Sequence, residues 1–297
     1  MKVVIFCGGL GLRMRSQIDS APKPMMSVGD RPVLWHIMRY YAHFGHTDFI
    51  LCLGYGAASV KQYFLNYDET QSNDFVLSKG GQRIDLIDSD ISDWRISFID
   101  TGIETSIGER LRRVRHLLDG DEVFLANYGD VLTDAPLDHI TADFIASDNV
   151  ASLLAVPPQA SFHVVDVHDD SRVHGIVQVA TMPMWINGGY FLLRQGVFDV
   201  LDQDDDLVED AFVRLARMGR LAAVRYSGFW APMDTLKERS ALEALDRSGR
   251  APWKLWAAPV RDRAPSTGDT APALSAPVPT APALFEPVLA EPVAGRS

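Results

Sequence analysis

The first thirty residues constrain the fold of this chain more than any other stretch. Lys2-Val3-Val4-Ile5-Phe6-Cys7 is an unbroken apolar run of the kind that forms a strand covered on both faces. It breaks into Gly8-Gly9-Leu10-Gly11-Leu12-Arg13, and Pro22-Lys23-Pro24 follows about ten residues later. A buried strand that runs into glycines leaves bare backbone N–H groups at the C-terminal edge of a sheet, where α/β folds bind ligands. Glycine there predicts φ > 0 and a ligand lying close to the main chain. Clustered N–H groups attract anions, and Arg13 and Lys23 add fixed positive charge. The prolines beside Lys23 predict an extended backbone that mounts its side chain stiffly. Gly8, Gly9, Leu10 and Gly11 thus read as a phosphate cradle.

Two other glycine motifs are excluded. No glycine precedes a Lys-Ser/Thr pair, so the G-x-x-x-x-G-K-[ST] pattern is absent. A dinucleotide fingerprint needs a third glycine where Met14 stands and an acidic residue ending the second strand. The second predicted strand, residues 48–53, ends instead in Gly54-Tyr55-Gly56.

Strand, helix and strand patterns alternate through the first half, which argues a parallel, doubly wound sheet. Helices are predicted at 32–44, 57–66, 108–118 and 136–146, and strands at 48–53, 95–100 and 122–127. Residues 67–94 read as polar and irregular, as a solvated loop would. Arg110, Arg112, Arg113 and Arg115 spread around one helix, so most are expected in solvent. Arg110 sits at the helix start beside Gly108, where a ligand can reach it.

The pattern then changes. Residues 150–157, 162–168 and 173–179 form successive β-runs with short polar turns, which predicts an antiparallel addition covering the substrate. Further strands are expected at 187–194 and 221–226. Seven acids between Asp199 and Asp210 fit a solvated helix N-terminus better than a metal site. A helix over 207–218 should follow them, and Asp234 is placed as the N-cap of another over 235–245. From Ala257 the composition turns to Ala and Pro, with eight prolines in 41 residues. Such a stretch buries too little apolar surface to offset chain entropy and reads as a disordered tail.

Composition bounds the partners. The formal charge of −11 argues against nucleic acid or an anionic membrane, so phosphorylated substrates would need local positive charge. Cys7 and Cys52 are the only cysteines and both fall in predicted strands, as reduced core thiols of a cytoplasmic protein do. Neither a signal peptide nor a membrane-length apolar run is visible in the sequence.

The motif G-G-x-G-x-R followed by K-P-M resembles that of the sugar-1-phosphate nucleotidyltransferases, in particular their cytidylyltransferase branch. The resemblance spans residues 1–256 and recurs at 31–38, Asp100-Thr101-Gly102, Tyr128-Gly129-Asp130, Ile186-Asn187-Gly188-Gly189 and Gly228–Thr235. It implies a Rossmann-like doubly wound mixed sheet, GT-A-like, with a small antiparallel β addition. The nucleotide-binding half would cover about 1–149 and the acceptor-binding half about 150–256, with the tail at 257–297. It also implies a homo-oligomer, with residues 67–94 as an insertion near its subunit contacts, that takes a nucleoside triphosphate, CTP favoured, and a phosphorylated acceptor such as glucose 1-phosphate.

In that chemistry a phosphate oxygen attacks the α-phosphate of the triphosphate and pyrophosphate leaves. The nucleophile is already ionised near neutral pH, so no general base is demanded. The obstacle is repulsion between two anions, which charge neutralisation and alignment must overcome. By the resemblance, Asp130 and Asp234 match the two aspartates that hold Mg²⁺. A turn aspartate at 130 and a helix cap at 234 are the plain alternatives. Arg13 would hold the β- and γ-phosphates, and Lys23 the charge growing at the α-phosphate. Gly108, Arg110, Tyr128 and Gly129 would border the nucleotide, and Asn187, Gly188 and Gly189 the sugar. Trp230 is either an apolar wall there or simple core.

Two departures stand out. Leu12 replaces the family's usual threonine, and the family's Glu-Lys-Pro is missing from residues 176–185, Ile-Val-Gln-Val-Ala-Thr-Met-Pro-Met-Trp. Losing such a charge-assisted contact should cost about 1.5–3 kcal/mol of acceptor binding. Another cation, with Arg172 nearest upstream, a different phosphate or phosphonate acceptor, or weak turnover would each accommodate the loss.

Overall fold

The apolar run at the start of the chain becomes β1 (Lys2–Phe6), an interior strand of a seven-stranded sheet. A computed structural model of the chain describes residues 1–9, 22–159, 162–167 and 169–257. Leu10, Gly11 and Arg13 of the predicted cradle, and the Ala/Pro-rich stretch from residue 258, lie outside the described residues. Val3 and Ile5 enter one apolar cluster and Val4 and Phe6 another, so β1 is covered on both sides.

Two short strands, β2 (Ser27–Val28) and β3 (Arg31–Pro32), lead into α1 (Val33–His43), then β4 (Asp48–Leu53) and α2 (Ala57–Leu65). A hairpin of β5 (Phe75–Ser78) and β6 (Arg83–Leu86) precedes β7 (Arg95–Asp100) and α3 (Ile107–Val114). Next come β8 (Val123–Tyr128), β9 (Val131–Thr133), α4 (Leu137–Ala146) and β10 (Ala151–Val156). A second hairpin, β11 (His163–Val167) and β12 (Val173–Gln178), is followed by β13 (Ile186–Arg194). A π-helical turn at Leu207–Phe212 runs into α5 (Val213–Arg217), and β14 (Leu221–Arg225), β15 (Trp230–Pro232) and α6 (Leu236–Arg247) complete the fold.

The sheet order is β14-β10-β13-β8-β1-β4-β7. Within it β13 alone runs antiparallel to its neighbours, and the other paired strands are parallel. Residues of α1, α4 and α6 pack on one face with Val3 and Ile5, while Leu111 and Val114 of α3 and Leu215 of α5 pack on the other. This is the doubly wound α/β arrangement, and it brings the C-terminal ends of β1, β4 and β8 to one edge. Cys7 and Cys52 are buried free thiols, as expected. Among the described residues no helix is long and apolar enough to cross a membrane.

Several local expectations change. Residues 67–94 are not irregular throughout, since they hold the β5–β6 hairpin, paired from Phe75↔Leu86 to Ser78↔Arg83. Its strands are only four residues each and expose apolar side chains such as Val76, Leu77 and Ile84, and the alternation of Arg83-Ile84-Asp85-Leu86 is too brief to stand out in sequence. The run at 150–157 is not part of an added layer: β10 lies inside the main sheet, and only β11–β12 forms the antiparallel addition. Lys23 is not held extended. Pro22 is extended, but Lys23–Met25 forms a 3₁₀ turn with the Met26 N–H donating to the Lys23 carbonyl. The N-cap of α6 is Thr235, which forms a reciprocal capping box with Glu238.

Candidate active site

The first site wall is the break after β1. Gly8 and Gly9 border a cavity of about 490 Å³ whose lining includes Lys23, Ile103–Ile107, Arg110, Tyr128, Gly129, Asp130 and Asp206. The expected positive φ is not found at Gly8 or Gly9, and crowding explains the glycine at position 8 instead: a Cβ there would lie 2.1 Å from Arg110 Nη1. The close approach seen at this glycine is that of the Arg110 side chain rather than of a ligand.

Arg110 was expected where a ligand could reach it, yet it is only 3% exposed and its guanidinium is already engaged. Nη1 donates to the Leu53 carbonyl at 3.2 Å and to Thr101 Oγ1 at 2.7 Å. Nη2 donates to the carbonyls of Gly8 at 3.0 Å and Ile103 at 3.1 Å. Arg110 therefore borders the cavity while tying together the loops after β1, β4 and β7. Gly108 does not line the cavity; a Cβ on it would lie 2.4 Å from the Asp205 carbonyl, so this glycine serves helix packing.

The charged centre joins three distant segments. Lys23 Nζ donates to Asp234 Oδ1 in a short contact and to Asp130 Oδ2 at 3.5 Å. Asp130 sits in the turn between β8 and β9. Asp234 sits between β15 and α6, and the capping box built by Thr235 and Glu238 leaves its carboxylate out of helix capping. The two segments are stitched by backbone, with the Met233 N–H donating to the Asp130 carbonyl at 2.8 Å and Pro232 paired with Val131. Burial alone would lower the Lys23 pKa, but the hydrogen bond to Asp234 and the field of Asp130 outweigh it and leave the ammonium favoured. Burial raises the Asp130 pKa, an effect that Lys23 opposes and Asp234 reinforces.

A second cavity, about 780 Å³, shares Tyr128 and Asp130 with the first. Asn187 and Gly188 line it, with Trp230, Gln159, Asp234 and Glu238. Asn187 Nδ2 donates to Tyr128 Oη at 3.2 Å, and burial pushes the Tyr128 phenol up to about 12, so it stays protonated near neutrality. Gly189 lies behind this pair at φ +78°, where a Cβ would approach the Tyr128 ring to 2.6 Å. Trp230 is both wall and core: it is buried and its Nε1 donates to the Gly188 carbonyl at 2.8 Å. Where the Glu-Lys-Pro of the resemblance would have been, Val179 and Met184 line the cavity. Among its described lining residues there is no lysine or arginine. Arg172 does not fill that place; it is largely exposed and pairs with Asp170 at 3.5 Å.

Thr101, Asp206 and Glu238 were not identified as site residues from sequence. Glu238 was discoverable, because Thr235-x-x-Glu238 is a capping-box pattern that also frees Asp234. Thr101 and Asp206 carry no comparable local signal.

Two carboxylates from separate elements converging on one ammonium define a position suited to positive charge. Among the described residues no group of three or more His, Cys, Asp or Glu side chains is gathered for a metal. A pair of carboxylate oxygens fits Mg²⁺, which commonly takes one or two protein carboxylates and leaves its other positions to water and phosphate.

No family model matches the chain. It is 37% identical over 262 residues to the glucose-1-phosphate cytidylyltransferase of Salmonella typhimurium, covering 86% of this chain and 100% of the relative. It is 33% identical over 258 residues to a probable glucose-1-phosphate cytidylyltransferase of Bacillus subtilis, with the same coverage of 86% and 100%. A crystal structure of a putative glucose-1-phosphate thymidylyltransferase from Bacillus anthracis shares the fold, with a TM-score of 0.60 at 16% identity over 83% of this chain and 95% of that one.

Proposed function

The chain belongs to the glucose-1-phosphate cytidylyltransferases, which are nucleotidyl-transferring enzymes, and from that premise we propose that it joins glucose 1-phosphate to CTP. The products are a CDP-sugar and pyrophosphate. The observation that carries the reading is the junction of the two cavities. They share Tyr128 and Asp130, and Lys23 meets Asp130 and Asp234 beside that shared wall.

A phosphate oxygen of the acceptor attacks the α-phosphorus of CTP, the bond to the β-phosphate breaks, and pyrophosphate carries away the electron pair. Asp130 and Asp234 would hold Mg²⁺, which when bound supplies charge neutralisation around the phosphates. Gly8 and Gly9 receive the nucleotide along their main chain, with Arg110 fixing the Gly8 carbonyl from behind. Lys23 offsets charge at the α-phosphate, and Arg13 is assigned the leaving pyrophosphate. Tyr128 and Gly129 border the nucleoside, while Asn187 and Gly188 orient the sugar. No residue needs to take a proton from the nucleophile, consistent with the absence of a nucleophile–base pair among these residues.

On the same reading the enzyme is a cytoplasmic homo-oligomer. The exposed apolar side chains of β5 and β6, Val76, Leu77 and Ile84 among them, support a subunit contact there. The test of function is pyrophosphate release with glucose 1-phosphate, Mg²⁺ and each of CTP, UTP, dTTP, GTP and ATP. CTP should give the highest kcat/KM. Silence with all five nucleotides would overturn the assignment, and light scattering on the purified chain would test the oligomer.

A further inference from the structure

We propose that Lys23 is a built-in stand-in for the divalent cation, holding the Asp130–Asp234 pair in the metal-free enzyme and leaving it when the metal arrives. The inference rests on the reading of these aspartates as the metal carboxylates.

Three observations carry it. First, the Lys23 ammonium bonds to both carboxylates, so it occupies the space between the oxygens that a cation would share. Second, the carboxylates are fixed without its help. The Met233 N–H to Asp130 carbonyl bond and the β9–β15 pairing set their spacing through the backbone, and the Glu238 carboxylate accepts from the N–H of Asp234 at 2.8 Å. A pre-formed carboxylate pair is a standing demand for positive charge, and Lys23 answers it. Third, Lys23 also lines the nucleotide-side cavity, whereas it is not part of the acceptor-side wall. An ammonium expelled from between the aspartates therefore has open space on the side assigned to the triphosphate.

Charge decides the sequence of events. Two carboxylates and one ammonium leave the metal-free cluster net negative, which opposes any phosphate. A divalent ion and an ammonium cannot both sit between the same oxygens, because they repel at that distance. Exchange of one for the other brings the carboxylate pair to neutrality, and the released Lys23 ammonium adds its positive charge on the side of the phosphates. One side chain thus protects the carboxylate pair when metal is absent and serves the nucleotide when it is present.

The test uses the full chain without nucleotide and Mn²⁺ as the probe, followed by calorimetry. Lys23→Met should tighten Mn²⁺ binding at least about tenfold, since removing one adjacent unit charge is worth more than the corresponding energy at partly buried distances. Lys23→Arg, which keeps a competing cation, should stay close to the wild type, and Asp130→Asn/Asp234→Asn should lose the site. Unchanged or weaker Mn²⁺ binding in Lys23→Met, with loss still seen in the double asparagine variant, would overturn the stand-in role alone. Mn²⁺ binding that survives in the double asparagine variant would instead overturn the metal assignment beneath it. A second measurement needs no variant. Acetylation of Lys23 in the wild-type chain, read by mass spectrometry against the exposed Lys79 and Lys237, should rise severalfold when Mg²⁺ is added. An unchanged or reduced level would refute the release of the amine.

Discussion

Replacing Arg110 by Met should damage stability and nucleotide binding together. The guanidinium donates to four oxygens, of Leu53, Thr101, Gly8 and Ile103, at 2.7–3.2 Å. Methionine fills similar space with no donor, so these acceptors lose their charged partner in a site that is 3% exposed. Hydrogen bonds to a charged group contribute about 1.5–3 kcal/mol each before desolvation is counted. Burial is the main force lowering the Arg110 pKa, so a large part of that gain already offsets the cost of burying the charge. A net loss of about 3 kcal/mol follows, or roughly 6–12 °C in Tm for a unit of this size. Freed from Arg110, the Gly8 carbonyl no longer fixes the loop after β1, and CTP affinity should fall about tenfold. Urea denaturation followed by tryptophan fluorescence and calorimetry with CTP and Mg²⁺ measure the two effects. Arg110→Lys should fall between, because one ammonium cannot span all the acceptors. An unfolding free energy within about 0.5 kcal/mol of wild type, with unchanged CTP affinity, would refute the reasoning.

Asp130→Asn and Asp234→Asn should each fold and lose turnover by a factor on the order of 10²–10³, measured as pyrophosphate release. Gly189→Ala forces a Cβ to 2.6 Å from the Tyr128 ring at φ +78°, which should cost about 1–2 kcal/mol in backbone strain alone and raise KM for both substrates. The His36 pKa is lowered to about 4, chiefly by burial, and His46 is lowered to about 4 as well. Above the unfolded value of 6.5 both states are neutral and stability is full; between 6.5 and about 4 only the unfolded chain takes the proton. His36 alone should therefore withdraw about 3 kcal/mol by pH 4, and His36→Gln should flatten that acid limb in denaturation curves at fixed temperature.

What sequence could show depended on whether the cause of a feature was local. The strands at Asp48–Leu53 and Arg95–Asp100 matched their expected bounds, because a short run flanked by breakers is set by its own residues. Helix α1 likewise follows from its apolar spacing. The β5–β6 hairpin escaped notice because its strands are four residues each, Phe75-Val76-Leu77 being a short apolar run and Arg83-Ile84-Asp85-Leu86 an alternation too brief to stand out among polar neighbours. Arg110 was set apart from its three neighbouring arginines as one a ligand could reach, and its burial depends on acceptors as far as 102 residues away. Gly8 and Gly9 were recognised, but the φ expected of them was not found, and the crowding by Arg110 that explains the glycine at position 8 is invisible in sequence. Lys23, Asp130 and Asp234 were found one by one through motifs, whereas their meeting at a single ammonium is purely tertiary.

Lys23 meets Asp234 across 211 residues of chain, and Trp253 reaches His36 across 217. During synthesis at roughly 5–20 residues per second, the glycine loop leaves the ribosome some 10–40 s before its acidic counterpart exists. Throughout that interval nucleotide has only half a pocket to meet and cannot template the growing polypeptide. Competence is thus conferred only once Asp234 has been made, and a message that stalls ahead of it yields an inert fragment.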